Sequence, residues 1–112
     1  MATLAQDFTN WENSVTLVAR VTTEAQQLEL PSGDTLMKFR VVVPRYKPVT
    51  KATVDTIDCV AFKPVAQRKS ATLAVGDIVE ITGELRRRFW KTGAGVASRT
   101  EVEVSKITLV KT

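Results

Sequence analysis

From Ile78 to Lys91 the chain reads I-V-E-I-T-G-E-L-R-R-R-F-W-K, a run long enough for one extended strand and patterned tightly enough to show which way that strand faces. Val79, Ile81, Leu85 and Phe89 occupy odd positions, whereas Glu80, Thr82, Glu84, Arg86 and Arg88 occupy even ones. Side chains alternate across a strand, so the odd set predicts a buried face and the even set a wet one. Trp90 breaks the pattern by falling with the charged set. Two readings stay open: an indole beside two guanidiniums offered to a ligand, or a Trp packed under a loop or partner subunit next to arginines that only meet solvent.

The 112 residues suit one domain, 1–112, with residues 1–13 as an N-terminal extension and no separate unit. Hydrophobic residues make up 44%, too many for a disordered chain. No run is long and apolar enough to cross a bilayer, and M-A-T-L-A-Q-D-F has neither a basic start nor a continuous apolar segment. A soluble, cytoplasmic protein with no membrane partner is therefore expected. The formal charge of +4 suits a polyanionic partner, and it is local: Arg86, Arg87, Arg88 and Lys91 crowd together, while Asp7 and Glu12 are the only charges before Asn13. Cys59 is the only cysteine and there is no histidine, which removes an internal disulfide, the ordinary zinc and copper ligands, and His-dependent catalysis. No catalytic residue, metal, cofactor or small-molecule substrate is assigned, and the chain is not read as an enzyme.

Along the chain, Phe8 and Trp11 sit among polar neighbours in a segment with no clear period. It fits either a strap across a barrel end or against another subunit, or a partly ordered tail. Alternation predicts strands over Ser14 to Thr22, Gln26 to Leu30, Thr35 to Val43, Val54 to Phe62, the Ile78 to Lys91 run, and Val96 to Val110. Pro31-Ser32-Gly33-Asp34 marks a reversal, and Pro44 ends the third of these strands. Arg45, Tyr46, Lys47 and Lys51 then lie in a loop with no acid of its own. That loop could clamp a phosphate backbone or simply solubilise a hairpin, and its lack of acids tips the balance toward the clamp. Pro64 to about Leu73 is the one plausible helix. Near Ser105 and Lys106 the parity of the last strand shifts, which predicts a bulge.

Five strands, with a short helix between the third and fourth, give the element order of an all-β oligonucleotide/oligosaccharide-binding barrel, the OB-fold, a five-stranded Greek-key barrel. Such barrels bind on the face of their second and third strands, here Lys38, Arg40 and Val42 beside Asp58, Val60 and Phe62, with the hairpin of Arg86, Arg88 and Trp90 at the rim.

The order L-P-S-G-D-T-L-M-K-F-R-V-V-V, D-T-I-D-C-V-A-F, V-G-D-I-V-E-I-T-G-E-L-R-R-R-F-W and T-E-V-E-V-S-K-I-T-L-V resembles the bacterial single-stranded DNA-binding proteins from roughly Ser14 to Val110. The resemblance implies that Phe62 and Trp90 stack on bases, that Arg86 and Arg88 are basic contacts, and that Tyr46 approximates a further loop aromatic. Where family members often carry another aromatic this chain has Thr56, and losing that ring should remove about 1–3 kcal/mol of stacking. The family usually ends in a flexible linker and an acidic tip, neither of which follows Val110 here, so recruitment of repair and replication enzymes by that route is not expected.

The expectation is thus a protein that binds single-stranded DNA with little sequence preference and coats and protects it during replication, recombination or repair. Phosphates would be held by Arg86, Arg88, Lys38, Arg40, Arg45, Lys47 and Lys51, and bases would stack on Trp90, Phe62 and Tyr46. The resemblance further implies a nucleoid-associated homo-oligomer, a tetramer before a dimer, and Val18 on the outer side of the first strand is compatible with a buried subunit contact. Two rivals are a barrel that serves as a protein-interaction module of the same machinery, and one that takes RNA.

Overall fold

The computed structural model describes residues 9–47 and 49–112, so Phe8 lies outside the described residues. The alternating segments form β1 (Val15–Val21), β2 (Gln26–Glu29), β3 (Thr35–Pro44), β4 (Val54–Ala61), β5 (Ile78–Thr92) and β6 (Gly95–Lys111), with α1 (Pro64–Ala71) between β4 and β5. They make one sheet in the order β1-β5-β6-β4-β3-β2, closed by a second pairing between β1 and β3. Every pairing is antiparallel except that of β4 with β6, where Cys59 faces Val102 and Val60 faces Glu103.

The six segments fit a five-stranded barrel because the first two share one partner strand. Arg20 and Val21 of β1 pair with Val42 and Val41 of β3, and β2 then pairs with the other end of the same strand, Thr35 to Lys38. Between them the chain stays tied to β3: the Thr22 N–H donates to the Arg40 carbonyl at 2.9 Å and the Arg40 N–H to Thr23 Oγ1 at 2.9 Å. Counted as one bent strand, β1 and β2 restore the five-stranded barrel, with the helix after its third strand.

One face of each strand fills the barrel. Ala19, Val21, Phe39, Val41, Cys59, Val79, Ile81, Val102, Val104 and Ile107 form the main core, joined by Leu73. Burying a side chain such as Phe39 or Ile81 contributes about 1.5–3 kcal/mol. Met37 and Ala61 pack on Ala66 of α1 as a second, smaller cluster. The helix is anchored by Gln67, whose Nε2 donates to the Thr35 carbonyl at 3.0 Å and to the Phe62 carbonyl at 2.8 Å. That second bond fixes the backbone at the end of β4, where Phe62 stands.

Entry into β5 is set by a turn that only glycine fits comfortably, Gly76 at φ 98°. Its N–H donates to the Val21 carbonyl at 2.8 Å, and Asp77 Oδ2 accepts the Ala74 N–H at 2.9 Å. Further along, Thr82 faces Lys106 but Gly83 faces Val104, so Ser105 is the extra residue of the expected bulge. A side chain at Gly83 would run into the Glu103 carbonyl.

Beyond that bulge β5 has lost β1, their last pairing being Val15 with Gly83, and once β6 has passed its contact with β4 at Glu103 and Val102 the two strands run on as a two-stranded ribbon. The expectation that Leu85 and Phe89 are buried is corrected here: they are 49% and 63% exposed. Their alternation persists, but the ribbon has no inside.

Candidate nucleic-acid interface

On the other side of the ribbon, Glu84, Arg86, Arg88 and Trp90 oppose Glu103, Glu101, Arg99 and Ala97 of β6. Arg88 is held by two neighbours. Its Nε donates to Glu101 Oε1 at 2.9 Å, and its guanidinium lies 5.7 Å from the centre of the Phe62 ring, within cation–π reach. Glu101 is only 4% exposed, whereas Trp90 beside it keeps 42% of its surface open to solvent. Trp90 is therefore neither sealed in the core nor fully extended into water.

Three hollows run side by side over this face. The first, about 430 Å³, is lined by Thr23, Gln26, Leu28, Lys38 and Arg40. It shares Leu28 and Lys38 with a second of about 200 Å³, which adds Leu36, Val60, Arg88 and Trp90. The third, also about 200 Å³, holds Phe62, Arg86 and Glu103 and shares Val60, Arg88 and Glu101 with the second. Val60 and Leu36 are 2% and 1% exposed and give the track an apolar floor. Of the residues expected at the site, Lys38, Arg40, Phe62, Arg86, Arg88 and Trp90 are thus brought together. Arg45, Tyr46, Lys47 and Lys51 line none of the three hollows, and Tyr46 is 87% exposed.

The cations are not bare. Arg40 pairs with Asp58 at 2.8 Å, and Arg86 reaches Glu84 at 3.0 Å and Glu103 at 3.6 Å. Arg99 approaches the second oxygen of Asp58 at 3.8 Å. The loop expected to lack an acidic counterweight has one after all, because Arg45 pairs with Asp55 of β4 at 2.8 Å. Hydrogen bonding from Arg45 holds the Asp55 carboxyl below its ordinary range, and Asp55 in turn raises Arg45. Among the described residues Lys38, Lys47 and Lys51 make no ion pair. Cys59 is a core residue: burial, and then the charges of Asp58 and Glu101, push its thiol up to about 12.

Sequence reasoning missed Arg99, Glu101 and Glu103, and the apolar floor of Leu28 and Leu36. A signal was present. Arg99, Glu101 and Glu103 alternate with Val102 and Val104, and a turn at Gly93 to Gly95 lays them opposite Arg88, Arg86 and Glu84.

Residues 12–110 match the model of the single-strand binding protein family. Among solved structures, an SSB of Plasmodium falciparum described in complex with ssDNA superposes with a TM-score of 0.73 at 21% identity, over 89% of this chain and 96% of that one. No curated protein matches the chain.

Proposed function

The chain belongs to the single-strand binding protein family, and from that premise we propose that it holds single-stranded DNA along the three hollows, with little sequence preference. The observation that carries the reading is the exposed Trp90 on the same face as Phe62, with the Arg88 guanidinium between them. Stacking on aromatic rings serves every base alike, and guanidiniums and Lys38 meet the phosphates, which makes binding tolerant of sequence and sensitive to salt. The strand passes through unaltered. Coated in this way it is protected and kept from pairing during replication, recombination and repair, which places the protein at the nucleoid in the cytoplasm. The Plasmodium SSB described with ssDNA, whose barrel superposes on this one, agrees with the choice of DNA.

We also propose self-association through the outer side of β1. Val18 is 54% exposed there and, with Val42, Pro44 and Val54, lines an apolar groove of about 260 Å³. Sedimentation of the wild type and of Val18→Glu tests this, the variant being expected to shift to smaller species.

The site itself is tested by titrating oligothymidylate while following tryptophan emission. Trp90→Ala should bind about 10- to 100-fold more weakly, the equivalent of one lost base stack of ~1–3 kcal/mol. Equal affinity and equal quenching in both proteins would remove Trp90 from the interface.

A further inference from the structure

The second and third hollows are separated by a single wall. It is made of Arg88 and Glu101, standing on Val60, and all three residues line both cavities. On one side lie Trp90 and Leu36, on the other Phe62 and Arg86. An arginine on an open ribbon would ordinarily sweep through many rotamers, because nothing holds its long stem. Here its Nε is fixed at 2.9 Å by a carboxylate that is itself 4% exposed, and its plane is backed by the Phe62 ring. A buried carboxylate paired with a partly exposed guanidinium has a fixed end and a presented end.

We propose that Glu101 is a positioning residue that sets Arg88 as a partition between two single-base compartments, so that neighbouring bases of the bound strand are parted from each other. Each compartment, at about 200 Å³, has room for a base, and Arg88 stands where the two meet. One base lies against Trp90 and the next against Phe62, with the guanidinium between them. The bond through Nε leaves the two terminal amino groups of Arg88 for the phosphate joining the two nucleotides. The inference rests on the proposed single-stranded DNA reading and adds that the strand's own base stack is broken at this point.

The test uses a short oligothymidylate carrying two adjacent 2-aminopurines. Stacked on each other, these bases give an exciton couplet in near-ultraviolet circular dichroism where protein absorption is weak, and contact with Trp or Phe does not create one. Wild-type protein should abolish most of the couplet on saturation. Arg88→Lys keeps the charge but has no planar wall, and Glu101→Gln keeps the shape but loosens Arg88, so both should bind more weakly and, once brought to saturation at higher protein concentration, leave much of the couplet in place. Their thermal melts establish that the comparison is between folded proteins. If either melts below the assay temperature, the wild-type result and the other variant decide. Saturated wild type with an undiminished couplet would overturn the partition and leave the DNA-binding reading standing, as would full loss of the couplet in both variants. Failure of the wild type to bind at low salt would instead overturn the reading and the partition together.

Discussion

The side-chain amide of Asn13 behaves as a short extra strand for Leu85. Its Nδ2 donates to the Leu85 carbonyl at 2.7 Å, and the Leu85 N–H donates to its Oδ1 at 2.8 Å. The pair continues the β1–β5 ladder past its last backbone pairing, Val15 with Gly83, onto the base of the ribbon that carries Arg86, Arg88 and Trp90. One residue from the N-terminal extension thereby steadies the root of the candidate site.

Asn13→Ala should therefore loosen the ribbon before it unfolds the barrel. The loss is about 1 kcal/mol, the ordinary net value for hydrogen bonds at an exposed position. Amide hydrogen exchange should quicken at Leu85 and Arg86, with Val79 and Ile81 unchanged.

Two neighbouring arginines should differ in what their removal does. Arg88→Ala strands the buried Glu101 without its partner and should cost ~1–2 kcal/mol of stability, less than the ~3–5 typical of a wholly buried pair because Arg88 is partly solvated. Arg86, half exposed and paired with exposed acids, should lower stability by under about 0.5 kcal/mol when replaced by Ala. Urea melts of the two variants check the contrast.

Salt dependence should report the acids as much as the bases. Arg86 is shared between Glu84 and Glu103, so phosphate must compete with carboxylates already in place. Glu103→Gln should tighten oligothymidylate binding severalfold at low salt and steepen the fall of log K with log salt by about 0.7, the amount for one more phosphate contact on a single strand. Titrations at several salt concentrations measure both.

The thiol of Cys59 should stay protonated and silent toward thiol reagents until the barrel opens. Folded, it holds its proton up to about pH 12, whereas an unfolded thiol releases it from its ordinary value of 9.0. The folded state binds the extra proton between those limits, so Cys59's contribution to stability is complete below pH 9 and declines as pH rises through that window. Comparing alkaline denaturation of wild type and Cys59→Ala isolates the effect, the variant lacking that component of the decline.

The barrel was legible in the sequence where a strand has an inside and an outside. Met37, Phe39 and Val41 alternate with Lys38 and Arg40 because one set meets the core, and Ser105 disturbs the parity of its strand because it is the extra residue of a bulge. The same rule misplaced Leu85 and Phe89, since their ribbon has left the core that would bury them. The two segments β1 and β2 were legible separately, but their joint pairing along β3 was not, because it is held by contacts of Thr22 and Thr23 with Arg40, far away in sequence. The rings of Phe62 and Trp90, proposed to stack on bases, could be picked out singly. The carboxylates that hold the arginines could not, because Glu101 and Asp55 become neighbours of Arg88 and Arg45 only once strand register is known.

The parallel contact of Cys59 and Val60 with Val102 and Glu103 has a consequence for synthesis. A ribosome must deliver β6 before β4 acquires its second neighbour or the core receives Val102, Val104 and Ile107. Until then the nascent chain displays unpaired strand edges and an unfilled interior, so the barrel closes only after β6 has emerged.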